Sequence, residues 1–356
     1  MDRLRWTWIW LPPFAGALSV IFGDRVSIPP LLLGIVLIVT VLAAVHHAEL
    51  IAHKVGEPFG TFLLALAVTV IEVGLILTLM LQGKAGAETL ARDTVFSAVM
   101  IILNGLLGAF ILLGALRHRE QSFQQVGVSA SLATLCTLTV LTLVLPNFAA
   151  SAGPSYAPSQ LAFVAIVSLL LYLTFVMVQT VRHRGYFLPP EGAAEDPDAH
   201  APPPSGKQTL LSGALLVACL VEVVLLAKAL APAIENGVAG AGLPHAVVGV
   251  VIAALVLLPE SVAAVRAAMA NRLQTSLNLA LGSALATIGL TIPAVAVLSL
   301  FQGLPLALGL DSRGIVLLSL TLLVTTQSLA TARTTVLQGV VHLVIFGVFV
   351  FTTLVP

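Results

Sequence analysis

Apolar runs of roughly 20 residues alternate with short polar stretches along nearly the whole chain. A run of that length crosses the hydrocarbon core of a bilayer as one helix. The residue-by-residue alternation that marks membrane β-strands is absent, so we expect helices, which satisfy their own backbone hydrogen bonds in lipid. Eleven spans are predicted, near residues 6–22, 31–53, 58–82, 94–116, 126–146, 160–181, 208–230, 244–267, 276–301, 313–331 and 334–354.

Composition supports a membrane protein and excludes several other classes. Only 9% of the 356 residues are charged and 58% are hydrophobic, whereas a soluble domain carries about 25% charged residues. Sixteen Lys and Arg balance sixteen Asp and Glu, which argues against a basic surface for nucleic acid. The two cysteines, Cys136 and Cys219, lie inside apolar runs, so no disulfide framework is expected. The predicted fold class is an all-α polytopic membrane protein.

Positive charge is distributed unequally between the two predicted sides. The N-terminus and the even-numbered loops carry eleven Lys and Arg, and the odd-numbered loops carry the other five of the sixteen. Because the side richer in positive charge faces the cytoplasm, we expect a cytoplasmic N-terminus and a periplasmic C-terminus. The longest loop, 182–207, is rich in proline and acidic residues and has little to bury, which predicts a disordered cytoplasmic linker.

That linker divides the chain into two blocks of five spans. We expect an N-terminal extra helix in 1–30, a first five-helix repeat in 31–181, the linker in 182–207 and a second five-helix repeat in 208–356. Since five is an odd number, the second block enters the membrane from the opposite side to the first. Such inverted repeats are common in secondary transporters.

Each block carries one acidic residue deep inside a span. Glu72 and Glu260 lie well inside the third and eighth spans, and Ser97 and Ser283 follow them by 25 and 23 residues. A charge at that depth costs at least about 2.5–3.5 kcal/mol on insertion scales, which indicates a function. Spans that run in opposite directions let the two carboxylates meet near the midplane, and Pro259 frees backbone carbonyls beside Glu260. The alternative is a protonated Glu that joins two helices by a hydrogen bond.

The spans that follow the two glutamates are rich in side-chain oxygen. Hydroxyl and amide oxygens suit hard cations such as Ca²⁺, Na⁺ and K⁺, although Ser and Thr also pack ordinary membrane helices. The oxygen-bearing residues are Thr94, Ser97 and Asn104 on the fourth span and Asn278, Ser283, Thr287 and Thr291 on the ninth.

Two other functions are compatible with parts of this pattern. His46, Glu49 and His53 share one face of the second span, which is compatible with a polar vestibule, a pH-sensitive gate or the metal site of an intramembrane enzyme. A passive cation channel would place a continuous polar stripe along its pore helices, whereas the polar residues here cluster around the two glutamate spans.

Two stretches resemble the signatures of a known transporter family. Gly56-Glu-Pro-Phe-Gly-Thr61 with Ala67-Val-Thr-Val-Ile-Glu72 is similar to the first signature of ChaA-type cation/proton antiporters, and Pro259-Glu-Ser-Val-Ala-Ala-Val-Arg-Ala-Ala268 with the segment 281–293 is similar to the second. These antiporters belong to the Ca²⁺/cation antiporter superfamily. The resemblance implies a secondary transporter of the bacterial inner membrane that exchanges Ca²⁺, Na⁺ or K⁺ for H⁺ without a cofactor.

The resemblance also implies roles for particular residues. Glu72 and Glu260 match the acidic pair that binds the metal cation and takes up protons in exchange, and Ser97 and Ser283 match hydroxyls opposite them. The second and seventh spans match long gating helices. Glu49 and Glu222 on those spans are therefore expected along the access paths or at the gate, and we assign Asn104 and Asn278 to the same regions.

The sequence departs from this family at one pair of positions. Ca²⁺/proton exchangers typically carry Gly-Asn-x-x-Glu in each repeat, whereas Val68-Thr69 precedes Glu72 here and Val256-Leu257 precedes Glu260. Both asparagine oxygens are missing, and Thr69 offers the one replacement. Because Ca²⁺ prefers six to eight oxygen ligands, the change favours transport of Na⁺ or K⁺ beside Ca²⁺.

The charge asymmetry gives a first testable prediction. A periplasm-active phosphatase fused after Pro356 should be active, and the same reporter inserted at Asp198 should be silent. A fluorescent protein that matures only in the cytoplasm serves as the matched reporter and should give the opposite pattern at both positions. The reverse result from both reporters would contradict the predicted orientation.

Overall fold

A computed structural model describes Phe14, Gly16 and residues 29–55, 59–81, 86–149, 153–189 and 204–355. The first predicted span lies outside the described residues apart from Phe14 and Gly16. The central part of the predicted linker, 190–203, also lies outside them.

Five long helices precede the linker in the described part of the chain, besides two short helical turns at Pro146–Ala149 and Arg184–Phe187. The long helices are α1 (Pro30–Val55), α2 (Phe59–Met80), α3 (Ala87–His118), α4 (Gln125–Val144) and α5 (Pro158–Arg182). Three of these helices widen locally into π-turns, at Ile101–Leu106 in α3, Val140–Val144 in α4 and Val178–Arg182 in α5.

Five more helices follow the linker among the described residues. They are α6 (Gly206–Gly240), α7 (Ala246–Met269), α8 (Leu273–Gln302), α9 (Ser312–Ser328) and α10 (Val336–Leu354). A fourth π-turn, Thr287–Thr291, lies in α8. Two short strands, β1 (Gln121–Ser122) and β2 (Arg333–Thr334), pair antiparallel beside the helices.

Most of these helices are suited to cross a bilayer. Among the described residues, seven are long and apolar enough to do so, and α7 is an eighth when its two arms count as one span. Those arms, Ala246–Leu258 and Glu260–Met269, meet at an angle of 53°. The apolar part of α2 is shorter, Leu66–Met80. The prediction of an all-helical polytopic fold is confirmed, whereas the described residues do not establish a count of eleven spans.

The predicted boundaries agree with most helix ends to within a few residues, but two ends differ more. Helix α3 begins at Ala87 rather than near 94, and α6 continues to Gly240 rather than ending near 230. The early turns of α3 carry Glu88, Arg92 and Asp93, and the end of α6 carries Glu235. These polar turns are helical without being apolar, so hydropathy locates the lipid-crossing part of a helix and not its ends.

The packing places four helices at the centre. Helices α2, α3, α7 and α8 contact one another, while α1 and α6 lie against each other and against α2. Helix α10 packs along α3, and its counterpart in the first set, α5, packs along α8. This mirrored pairing is what two structurally related five-helix repeats would produce.

Loops from each half fasten the helices of the other half. After α3, the side chain of Gln121 donates to the carbonyl of Ala268 at 2.8 Å, at the end of α7. After α8, the amide of Ala307 donates to the carbonyl of Glu88 at 2.9 Å, and Arg92 donates to the carbonyl of Gly309 at 3.1 Å. The loop after α3 thus bonds one of the last carbonyls of α7, a group that a helix end leaves without an intrahelical donor. The loop after α8 is bonded to the first turns of α3.

Helices α3 and α7 approach each other most closely at a glycine, which gives a second prediction. A Cβ on Gly249 would lie 2.9 Å from backbone atoms of Asp93 and Thr94. Gly249→Val should therefore separate the two helices and lower the unfolding free energy by about 1–3 kcal/mol, as overpacking does. Thermal unfolding in detergent measures the effect. The control is Gly347→Val, because a Cβ there meets no atom within 4 Å; equal melting temperatures for the two variants would contradict the prediction.

Candidate cation site

Two glutamates lie inside the central helices. Glu72 is on α2, and Glu260 is on α7 directly after the bend. Each is 3% exposed. Proline has no amide hydrogen, so Pro259 cannot make the usual helical hydrogen bond, and this accounts for a bend at that position. The hydroxyl of Ser261 bonds the carbonyl of Leu257 at 2.7 Å just beside it.

One helix, α8, donates hydrogen bonds to both carboxyls. The hydroxyl of Ser283 donates to Oε2 of Glu260, and the hydroxyl of Thr287 donates to Oε2 of Glu72 at 2.8 Å. Ser283 and Thr287 are one helical turn apart, about 6 Å along the axis. Because their donors lie on adjacent turns of one helix, the two carboxyls lie near each other. The structure thus brings Glu72, Glu260 and Ser283 together.

Both helices opposite the glutamates change their hydrogen-bond pattern near this site. The π-turn of α8 begins at Thr287, four residues after Ser283, and the π-turn of α3 begins at Ile101, four residues after Ser97. Turns of this kind are rare and occur frequently at functional sites. Each half of the chain therefore has a π-turn that begins four residues after its serine, Ser97 or Ser283.

Several side-chain oxygen atoms of the four central helices are buried without a hydrogen-bond partner. Among the described residues they include Oε1 of Glu72 and the hydroxyls of Thr94 and Thr291. The predicted ligands Thr69 and Ser97 are also buried, on α2 and α3. Buried polar atoms in proteins are nearly always paired. Unpaired buried oxygens on these helices are therefore suited to contact a bound cation.

The chain supplies no positive charge to the two carboxyls in its described part. Ion pairs there include those of Arg92 with Asp93, Arg313 with Asp311 and Arg333 with Glu120, at 2.8, 3.6 and 3.4 Å. A buried carboxylate without a partner charge is strongly unfavourable. Protons or a metal cation would supply the positive charge that the described residues do not.

The two predicted asparagines are not brought to the carboxyls. Asn278 donates to the carbonyl of Phe187 at 2.6 Å and accepts from Gln274 at 2.8 Å, which fastens the turn after α5. Asn104 bonds Thr321 at 2.9 Å in a different buried cluster. Their assignment to access paths stays a prediction, and the bonds that the structure gives them connect helices.

The two predicted gate glutamates differ in environment. Glu49 is exposed near the end of α1. Glu222 on α6 is 9% exposed and faces Thr40. Gly16 also lies against Glu222, and a Cβ on Gly16 would overlap Oε2 of Glu222. Val224, two residues further along α6, contacts Gly74 of α2 instead. Since two residues turn a helix by about 200°, Glu222 points away from α2 and lies between α1 and α6.

Within the described residues, the histidine cluster does not form a metal site. His46, Glu49 and His53 are exposed near the end of α1, whereas His47 is buried. No group of three or more His, Cys, Asp or Glu side chains among the described residues could hold a metal ion. The metalloenzyme interpretation therefore lacks the ligand set it requires within that part of the chain.

Thr287 is the site residue that sequence reasoning missed. It was recognised only as one of several oxygen-bearing residues of the ninth span, yet it is the donor to Glu72. Its spacing contained the signal, because Thr287 follows Ser283 by four residues and so lies on the same helix face.

Comparison with known proteins identifies relatives over the full length of the chain. The family model described as sodium/calcium exchanger protein matches residues 29–181 and 211–355. A protein of Sinorhizobium fredii with a provisional description as an ionic transporter is 50% identical, covering 98% of this chain and 96% of its own length. The sodium-potassium/proton antiporter ChaA of Escherichia coli is 32% identical, covering 96% of this chain and 94% of its own length.

Solved structures agree in fold. Native YfkE superposes with a TM-score of 0.74 at 17% identity, covering 98% of this chain and 100% of that chain. The H⁺/Ca²⁺ exchanger CAX superposes with a TM-score of 0.70 at 15% identity, covering 98% of this chain and 89% of that chain. The predicted exchanger-like fold is confirmed by these similarities.

The bond from Thr287 to Glu72 gives a third prediction. Thr287→Val keeps the side-chain volume and removes the donor, so Glu72 loses the hydrogen bond to a buried oxygen. Such a loss costs about 1–3 kcal/mol, and thermal unfolding of the protein in cation-free detergent should show it. Thr137→Val is the matched control, because that exposed hydroxyl bonds only its own helix carbonyl. The same melting temperature in both variants would contradict the bond's importance.

Proposed function

The chain belongs to the sodium/calcium exchanger protein family, and from that premise we propose that it exports a metal cation in exchange for protons by alternating access at Glu72 and Glu260. Its relatives include cation/proton antiporters, so it is a secondary transporter and not an enzyme. Exchange of this kind requires no cofactor, because the gradient of one ion drives the other.

The observation that carries the proposal is the pair of buried carboxyls bonded side by side to α8. Two glutamates this close cannot both ionise in a low-dielectric interior without an added positive charge. Protons and a metal cation therefore compete for the same oxygens. When one leaves, the other must take its place, and that competition couples the two flows.

The coupling also requires that an empty, charged site does not cross the membrane. We propose that α1 and α6 shift together across the central helices and expose the site to one side at a time. Their long mutual contact, with α6 also lying on α2 beside the glutamate, supports this role. The shift is favourable only with a neutral site, because moving a bare carboxylate pair past apolar side chains is costly.

The oxygen ligands of the cation follow from the buried groups around the pair. We propose that Glu72, Glu260, Thr69, Ser97 and Ser283 bind it. Leu257 is buried and offers no side-chain oxygen at the position where Ca²⁺/proton exchangers typically carry asparagine. A relative named as a sodium-potassium/proton antiporter shares 32% of its residues with this chain. Both facts support Na⁺ and K⁺ as cargo in addition to Ca²⁺.

The location proposed for this exchange is the bacterial inner membrane, with the N-terminus in the cytoplasm and the C-terminus in the periplasm. Protons then enter through the protein along their inward gradient while the cation leaves. The apolar helices of the described residues support embedding in a bilayer, and the charge asymmetry of the loops supports the orientation.

The fourth prediction tests the exchange site. Glu72→Gln and Glu260→Gln each remove one charge at nearly constant volume, so the protein should insert normally while cation/proton exchange falls to background. Everted membrane vesicles with a preformed pH gradient report the exchange when Na⁺, K⁺ or Ca²⁺ is added, from about pH 7 to pH 9, the range in which protons compete least with the cation.

The matched control is Glu120→Gln, because Glu120 is exposed and pairs only with the exposed Arg333. It should exchange like the wild type. If either buried variant kept about half of the wild-type exchange at equal membrane abundance, the two-glutamate site would be wrong. Exchange with Ca²⁺ alone, and none with Na⁺ or K⁺, would contradict the proposed cargo while leaving the site intact.

A further inference from the structure

A second buried polar cluster joins α3 to α9 and α10. It consists of Met100 and Asn104 on α3, Thr321 and Ser328 on α9, and His342 on α10. Asn104, Thr321 and His342 are 0% exposed. None of these residues bonds Glu72 or Glu260, so the exchange mechanism does not use them directly.

The cluster is a connected set of hydrogen bonds. The amide nitrogen of Asn104 donates to the hydroxyl of Thr321 at 2.9 Å, and its amide oxygen lies 3.3 Å from Nδ1 of His342. On the other side of the ring, Nε2 of His342 lies 3.2 Å from the hydroxyl of Ser328. The sulfur of Met100 accepts from Thr321 at 3.4 Å.

The partners of His342 define its tautomer. Nδ1 faces the amide oxygen of Asn104, which can only accept, so Nδ1 carries a hydrogen. Nε2 faces the hydroxyl of Ser328, which can donate to it. A neutral imidazole therefore satisfies both of its ring nitrogens here, and the ring serves as a fixed connector.

His342 connects α9 and α10 to the π-turn of α3. Asn104, whose side chain bonds the ring, lies within that turn, Ile101–Leu106. Helix α10 approaches the end of the turn closely, since a Cβ on Gly108 would lie 3.0 Å from Cβ of His342 and from the backbone nitrogen of Leu343. The side chains of α9 and α10 thus hold a backbone segment that lacks the regular helical bonding pattern.

The corresponding π-turn in α8 is packed differently. There Gly289 lies against the ring of Tyr172 from α5, and Thr287 at the start of the turn donates to Glu72. The residue of α3 that corresponds to Thr287 is Ile101, four residues after Ser97, and it has no hydroxyl to donate. The α3 turn is therefore held by polar side chains of α9 and α10. The α8 turn is instead bonded to the carboxyl of Glu72.

We propose that Asn104 and His342 are positioning residues that hold the π-turn of α3 and thereby orient Ser97 and Thr94 toward the cation. This inference rests on the proposed exchange site. A π-turn adds about one residue to a helical turn, so its relaxation to regular helix rotates the preceding turns of α3 relative to α9 and α10. The hydroxyls of Ser97 and Thr94 then point away from the cation, which lowers the affinity for it and alters the preference among cations.

The test uses proteoliposomes of purified protein. It compares variants that break the hydrogen bonds among Asn104, Thr321 and His342 with one variant that preserves them. Asn104→Leu and His342→Leu should raise KM for the cation by about threefold or more, the effect of losing a buried hydrogen bond, with a smaller change in kcat and an altered Na⁺ to Ca²⁺ preference. Thr321→Val, a nearly isosteric change, should raise KM in the same direction and keeps the test available if the leucine variants do not accumulate.

The conservative variant separates positioning from proton transfer. In His342→Asn the amide nitrogen can take the place of Nδ1, so KM and the pH profile of exchange should both stay close to the wild type. The double variant Asn104→Leu/His342→Leu should be no worse than the more impaired single variant, because the two residues act as one unit.

The inference is overturned if Asn104→Leu, His342→Leu and Thr321→Val keep the wild-type KM and cation preference. It is also overturned if His342→Asn shifts the pH profile, which would mean that His342 itself carries protons. Both outcomes presuppose that the wild type exchanges cations for protons in the same vesicles. A wild type without exchange would instead overturn the proposed function, so the two failures are distinguishable.

Discussion

The burial of two neighbouring carboxyls is the constraint on which the rest of the structure depends. Glu72 and Glu260 lie almost entirely out of contact with solvent, and the described residues give them hydroxyl donors but no positive charge. A site of this kind is stable only when protons or a metal cation neutralise it. Two central helices carry the acids, and α8 bonds both of them. In the proposed mechanism, α1 and α6 shift only past a neutral site.

Much of the fold was predictable because lipid imposes a simple rule on sequence. A membrane helix needs an apolar run, and ten of the predicted runs coincide with described helices. The rule does not specify helix ends in water, so the polar first turns of α3 and the last ten residues of α6 were missed. It also does not specify π-turns. Those at Ile101–Leu106 and Thr287–Thr291 depend on contacts from neighbouring helices that no local pattern encodes.

The candidate site was predictable to the extent that single residues are costly to bury. A glutamate inside an apolar run stands out, so Glu72 and Glu260 were found from sequence. Hydroxyls do not stand out, since Ser and Thr are common in membrane helices, and so Thr287 was overlooked as a partner of Glu72. The bonds of Asn104 to Thr321 and His342 join residues more than 200 positions apart. Such partners become visible only when the helices are packed.

Competition between protons and cations for one pair of carboxyls is most directly tested by proton release on binding. Purified protein is placed in weakly buffered, cation-free detergent solution, and the pH is followed while Na⁺, K⁺ or Ca²⁺ is added. The account predicts that the wild type releases protons in a saturable manner, and that the double variant Glu72→Gln/Glu260→Gln releases none. Equal release from both proteins, or saturable cation binding to the wild type without any release of protons, would contradict it.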